Sequence, residues 1–311
     1  MRTSTHSVVW WSRRVLSAVA IALAVWLVSG AIFTEASLRL RRHFAPVSPA
    51  FAAAVRQDAK TWDTVSIAAA DGAVLKAWFI APKAGDRGCV LLLHGVASSR
   101  ASELGLARML EGAGYSVLLP DSRGHGESGG SMVTYGLLER TDTLRWAAWL
   151  RARGCARLFG LGASMGGAVL IQAAAQAPVF QAIVAECPYR DLRTTAEERI
   201  AQRAPLPEAV ARPLAAALVP AGFLYARVVY GLDLHAVSPI ESAAHMTTPL
   251  LLIHGLADVK IPAAHSRAIA AAGPTAELWL VPGAGHIAAS TTAPAEFRRR
   301  VLGWFEAHSG S

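Results

Sequence analysis

Charge is scarce in this chain. Asp, Glu, Lys and Arg make up 17% of the 311 residues, and lysine is almost missing, with 4 Lys against 26 Arg. Cysteine is rarer still. Cys89, Cys155 and Cys187 stand alone with no C-x-x-C spacing, which removes zinc-ribbon and thioredoxin-like readings. Their odd number argues against a disulfide framework, and Cys89 and Cys187, in or beside apolar stretches, read as small buried hydrophobes. There is no cluster of His, Asp or Glu at ligand spacing, so no metal site is expected. Net charge is +8, yet no basic stripe interleaved with aromatics appears, which excludes nucleic acid as a partner. Repeats and low-complexity segments are also absent.

What is present in excess is apolar character. Hydrophobic residues make up 53% of the chain and mean hydropathy is +0.35, above a typical soluble domain. Part of that excess lies in one run. Val15 to Phe33 holds 19 residues without a charge, about the length that crosses a bilayer core of roughly 30 Å as a helix. Arg13 and Arg14 precede it, Arg39, Arg41 and Arg42 follow it, and Trp10, Trp11 and Phe33 lie where interfacial aromatics sit. The basic flank suits anionic lipid head groups. The competing reading is a cleavable signal peptide, with Ser29-Gly30-Ala31 or Thr34-Glu35-Ala36 as the cleavage site. The run is long for that, and an uncleaved single-pass anchor is expected. A short N-terminal tail (residues 1–14) kept in the cytoplasm would place the large domain on the extracytoplasmic side.

Residues 34–63, with Ala45 to Pro49 and the alanines after them, read as a linker, and residues 64–311 as one folded domain. Thr64 to Ala68 and Ala73 to Ile80 form a hairpin turned by Asp71-Gly72. From there short apolar strands (Cys89 to Leu93, Ser116 to Leu119, Arg157 to Leu161, Ala182 to Ala185, Pro249 to Ile253, Glu277 to Val281) alternate with helical stretches (Ala101 to Gly112, Tyr135 to Arg153, Ala168 to Ala177, Pro294 to Ala307). That rhythm predicts an α/β fold with a mostly parallel sheet covered by helices on both faces. Residues 189–248 interrupt it. Within them Pro213 to Tyr230 is strongly apolar but broken by Pro220 and Arg227. An insertion capping the site is the preferred reading; a second membrane helix is the alternative.

Gly162-Ala163-Ser164-Met165-Gly166 fits G-x-S-x-G between a strand and a helix, the setting of a nucleophile elbow. Glycine at 162 and 166 removes Cβ atoms that would collide in so tight a turn. A serine nucleophile needs a base and a group to orient that base. His254-Gly255-Leu256-Ala257-Asp258 follows one later strand and Pro282-Gly283-Ala284-Gly285-His286 follows the last. Ser164, Asp258 and His286 therefore fall in the chain order of an α/β-hydrolase triad. Backbone N–H groups of Met165, at the start of the next helix, and of Val96, after His94-Gly95, are the expected oxyanion donors. His94, His254 and His125 are assigned to fixing loops and Asp121 to structure, with Asp191 and then Glu186 as rival acids.

These motifs, with Asp121-Ser122-Arg123-Gly124-His125-Gly126-Glu127-Ser128, resemble the α/β-hydrolase fold family from about Thr64 to the C-terminus. The likeness is greatest to membrane-anchored hydrolases grouped with serine aminopeptidases and monoacylglycerol lipases. The resemblance implies a Ser-Asp-His hydrolase of esters, thioesters or amides without a cofactor. An esterase, lipase or thioesterase on acyl substrates is the leading expectation. A peptidase is the alternative, with Glu186, Asp191, Glu197 and Glu198 as amine-binding candidates, and a catalytically inactive binding member of the fold is the third reading.

Overall fold

The apolar runs pair into one eight-stranded sheet. The computed structural model describes residues 4–42, 47, 53 and 59–310, so most of the expected linker, including Ala45, Pro46 and Pro49, lies outside the described residues. The chain falls into two compact units, residues 39–195 with 236–311 and residues 4–38 with 196–235.

In the larger unit, strands β1 (Ala59–Ala68) and β2 (Val74–Pro82) form the antiparallel hairpin, turned through Gly72 at φ +82°. The remaining strands are β3 (Cys89–Leu93), β4 (Ser116–Pro120), β5 (Leu158–Ala163), β6 (Ala182–Glu186), β7 (Leu250–Gly255) and β8 (Ala276–Val281). The sheet order is β1-β2-β4-β3-β5-β6-β7-β8, antiparallel up to β4 and parallel from β4 to β8. Strands β3, β5, β6 and β7 are buried along their whole length, which is why they appear as unbroken apolar runs rather than alternating ones.

Helices cover both faces. On one face α2 (Leu104–Glu111) contributes Leu104, Ala107 and Leu110, and the C-terminal helix α10 (Pro294–Ala307) contributes Phe297, Val301 and Phe305. Both pack on Val90, Leu92, Phe159, Leu161 and Ile253. The opposite face carries α3 (Glu139–Ala152), α4 (Met165–Gln176), α7 (Pro239–His245) and α8 (Ala264–Ala272). Gly160 lets α4 come close, since a Cβ there would lie 2.8 Å from Leu170 Cδ2. The short helix α9 (Ala289–Thr292) precedes α10. The expected helix over Tyr135 to Arg153 starts later, at Glu139, because Tyr135 and Gly136 are left-handed (φ +56° and +119°). The Glu139 carboxylate accepts from the N–H groups of Thr134 and Gly136 instead, at 2.7 and 2.8 Å.

One sequence expectation changes here. Cys89 is not a free buried hydrophobe: it is disulfide-bonded to Cys155, 66 residues away, with Cα atoms 5.9 Å apart. Three cysteines make one bridge and one free buried thiol, Cys187. Arg42, on the basic flank of α1, has partners within the protein. Its guanidinium donates to the carbonyls of Ser128 (2.5 Å) and Gly130 (2.9 Å), tying the start of this unit to the loop after β4.

The smaller unit is helical. It holds α1 (Ser4–Leu38), α6 (Glu208–Tyr230) and the part of α5 (Leu192–Arg203) from Ala196 on. α1 contains the apolar run seen in the sequence, and α6 matches the broken apolar stretch, extended by one turn and a half at its N-terminus.

Candidate active site

Ser164 sits in the tight turn between β5 and α4. Its backbone takes φ +52°, ψ −113°, a conformation that side chains rarely adopt. The turn closes only because its flanks lack Cβ atoms. One on Gly162 would lie 2.4 Å from Gly166 C, and one on Gly166 would lie 2.3 Å from Leu93 O. The Ser164 N–H donates to the last carbonyl of β6, Glu186 O, at 2.7 Å. The side chain is 7% exposed at the carboxyl edge of the sheet.

The loops after β7 and β8 bring two more groups to that edge. His286 Nε2 lies 3.0 Å from Ser164 Oγ, and His286 Nδ1 lies 2.6 Å from Asp258 Oδ2. A Cβ on Gly255 would lie 2.3 Å from Ala284 O, so the two loops can touch only with glycine there. Asp258 is oriented by its own turn, since Oδ1 accepts from the N–H groups of Lys260 (2.9 Å) and Ile261 (3.0 Å). Burial alone would raise the Asp258 pKa. Hydrogen bonds from His254, His286 and the Ile261 N–H outweigh it and hold the carboxyl well below the usual range. An ionised carboxylate on Nδ1 fixes the tautomer that leaves Nε2 free to accept the serine proton.

The loop after β3 arrives from the other side. A Cβ on Gly95 would be 3.5 Å from Ser164 Cβ, so the Gly95-Val96 backbone passes directly beside the serine. Two imidazoles lock it in place. His94 Nδ1 donates to Gly95 O (2.7 Å) while Nε2 accepts from the Ser122 N–H (3.0 Å). His125 Nε2 accepts from the Ala97 N–H (3.1 Å) while Nδ1 donates to Arg123 O (3.0 Å). Each ring needs one bare nitrogen, so both are neutral. Burial, then the neighbouring His125, pushes His94 down to about 3. Met165 is the first residue of α4, so its N–H has no acceptor within the helix.

Comparison with known proteins agrees with the fold. Residues 84–221 match the serine aminopeptidase S33 family model, and residues 225–311 match the prolyl oligopeptidase family model. A monoacylglycerol lipase of Mycolicibacterium smegmatis is 30% identical over 211 residues, covering 60% of this chain and 75% of the lipase. A Mycobacterium tuberculosis protein without an assigned function is 32% identical over 221 residues, 70% of this chain and 69% of its own. The structure of a Pyrococcus furiosus esterase superposes with a TM-score of 0.70 at 25% identity, covering 88% of this chain and all of that one. The chain belongs to the α/β-hydrolase family of serine hydrolases.

Within this hydrolase the rival acids have other work. Asp191 caps α5, accepting from the Thr194 N–H (2.6 Å) and from Arg190 Nε (2.9 Å). Asp121 accepts from the N–H groups of Arg100 (2.7 Å) and Glu127 (2.9 Å) and holds the loop after β4. His254 bonds Ser266 Oγ (2.6 Å) and Ile261 O (2.8 Å), a loop-fixing role. Glu197 and Glu198 lie on α5 in the helical unit.

Two residues near the site were missed in the role they play. The Glu186 carboxylate accepts from the Ala289 N–H (2.9 Å), and Cys187 Sγ accepts from the Ile287 N–H (3.4 Å). The end of β6 thus holds both the nucleophile and the stretch following His286. Burial raises Glu186 to about 7 against the lowering effect of the Ala289 N–H. The only sequence signal was an acid at the end of a fully apolar strand.

Proposed function

We propose that the chain hydrolyses carboxylic esters or thioesters by acyl transfer through Ser164, with His286 as base and acid and Asp258 as the group that orients it. The observation that carries this reading is the unbroken hydrogen-bond line from Ser164 Oγ to His286 Nε2 (3.0 Å) and from His286 Nδ1 to Asp258 Oδ2 (2.6 Å). Ser164 Oγ attacks the substrate carbonyl carbon as its proton passes to His286 Nε2. The negative charge then forms on the carbonyl oxygen, where the N–H groups of Val96 and Met165 receive it at the positive end of α4. Collapse breaks the bond to the leaving alcohol or thiol, which takes the proton from His286, and leaves an ester on Ser164. Water, deprotonated by His286, attacks that ester, the bond to Ser164 Oγ breaks as His286 returns the proton to it, and the acid is released. No cofactor enters any step.

The peptidase alternative needs a carboxylate turned to a free amine. Glu186 and Asp191 are both committed to backbone N–H groups, which weakens it. The named lipase and esterase relatives also favour an ester substrate. For the location, α1 serves as an anchor and the Cys89–Cys155 disulfide favours an oxidising, extracytoplasmic side for the hydrolase unit.

The deciding experiment labels the chain with a fluorophosphonate and then offers p-nitrophenyl esters of graded chain length beside aminoacyl-anilides. We expect labelling that Ser164→Ala abolishes, with turnover of the esters. Equal labelling of Ser164→Ala would remove the nucleophile, and a preference for anilides would install the peptidase reading.

A further inference from the structure

The helical unit holds a pair of helices built to touch. Every described side chain of α1 from Arg13 to Val25 is exposed; beyond it Trp26, Gly30, Thr34 and Leu38 turn inward at i, i+4 spacing. The α6 residues that meet this face are Ala217, Ala221 and Gly222, all small, with Tyr225 and Tyr230 beyond them. The backbones meet at the crossing. A Cβ on Gly30 would lie 2.5 Å from Ala221 Cβ and 2.7 Å from Gly222 N, and one on Gly222 would lie 2.4 Å from Thr34 Oγ1. Gly30-x-x-x-Thr34 is the small-x-x-x-small spacing by which helices approach closely inside lipid.

The polar groups on this face are also paired. Trp26 Nε1 donates to Ala217 O at 2.5 Å. Pro220, three residues on, has no N–H to give to the neighbouring carbonyl of Ala216, which loosens the local ladder. Near the other end, Glu35 accepts from the hydroxyls of both Tyr225 (2.9 Å) and Tyr230. An indole N–H inside the Val15–Phe33 run would be left unsatisfied in hydrocarbon without such a partner.

Depth follows from length. The freely exposed stretch from Val15 to Val25 is 11 residues and covers only about 16 Å, half of a bilayer core. For α1 to cross, Trp26 to Phe33 must lie in hydrocarbon too, and the part of α6 bonded to them goes with them. α6 is equipped for it. Val210, Leu214, Leu224 and Val228 form an exposed apolar stripe, Val228 being 75% exposed. The one charge within 217–228, the exposed Arg227, stands next to the end of that stretch, where its long side chain reaches the interface.

We propose that α6 is a second membrane element of this chain, with its Ala217–Val228 stretch lying beside Trp26–Phe33 in one leaflet and its apolar stripe facing lipid acyl chains. This rests on α1 being an anchor. The test uses the full chain in phosphatidylcholine/phosphatidylglycerol vesicles, spin-labelled in turn at Leu214→Cys, Leu224→Cys, Val228→Cys, Val19→Cys on α1 and Val74→Cys on β2. The unsubstituted chain serves as the blank for its buried Cys187. Relaxation by oxygen, which partitions into lipid, is compared with relaxation by a water-soluble nickel chelate. We expect the α6 labels to favour oxygen over nickel at least 5-fold relative to Val74→Cys, as Val19→Cys does. Nickel-favoured α6 labels beside an oxygen-favoured Val19→Cys would overturn the proposal and leave the anchor standing. α6 labels shielded from both reagents would overturn it in favour of a protein contact, such as a second copy of the chain. A nickel-favoured Val19→Cys would remove the anchor itself.

Discussion

Along the carboxyl edge of the parallel strands, left-handed backbone positions are shared between glycines and residues with side chains, whereas along the amino edge the described ones are held by glycine alone. Among the described residues, Ala97, Tyr135, Ser164, Cys187 and Ile287 have positive φ without being glycine, and each lies in a segment leaving the carboxyl end of a strand. The turns that lead into β3, β4 and β5 use Gly88, Gly114 and Gly154, which carry the same φ sign at no steric cost. Each strained residue costs roughly 1–2 kcal/mol. The carboxyl edge gathers that strain where Ser164, His286 and the Gly95-Val96 loop converge. The amino edge is relaxed, and it is there that the Cys89–Cys155 bridge joins the start of β3 to the segment before β5. Strain collects at the Ser164 end and cross-linking at the other.

The strongest way to break this division is at the carboxyl edge. Asp258→Asn should lower kcat on the best ester about 10⁴-fold, because an amide favours the wrong imidazole tautomer. Asp191→Asn keeps an N-cap on α5 and should change kcat less than about 3-fold. Steady-state kinetics on the two variants checks this, and an inverted result would move the acid to Asp191.

The amino edge should answer in stability instead. Cys155→Ser opens a loop of 66 residues and should lower unfolding free energy by about 2–4 kcal/mol. At a temperature where the variant is folded, kcat should match the parent, since neither sulfur reaches the carboxyl edge. Thermal unfolding and ester kinetics on the same preparation separate the two effects. A loss of kcat with little loss of stability would show that the two edges are not independent.

The contrast also explains what could be read from the chain. The elbow, the Asp258 loop and the His286 loop were legible because each is local: a buried strand appears as an apolar run, and a close approach appears as glycine. The placement of the smallest strands and of the helix Pro294–Ala307 followed for the same reason. What was not legible is set by partners far away in sequence. The pairing of Cys89 with Cys155 has no spacing signal, and an odd count hid it because Cys187 stays free. The close approach of Gly30 to Gly222, far along the chain, has no local mark either. The bonds from Arg42 to the carbonyls of Ser128 and Gly130 could not be read from its position after the apolar run. Likewise nothing local marks Cys187 and Ile287 as left-handed, although the Ile287 N–H donates to Cys187 Sγ.

Ile287 gives the finest test of whether strain at the carboxyl edge serves the site. It is β-branched at φ +51°, 41% exposed, and directly follows His286. A β-branched residue is least at home in that region, and its partly exposed side chain contributes little burial to offset the strain. Ile287→Gly should therefore raise unfolding free energy by about 1 kcal/mol, which for a domain of this size is a rise in Tm of roughly 2–4 °C. The same change frees the backbone beside His286, so kcat should fall a few-fold while KM changes little. A variant that is more stable and slower ties the strain to the placement of the imidazole. A variant that is less stable would mean that the side chain, and not the backbone, holds this loop in place.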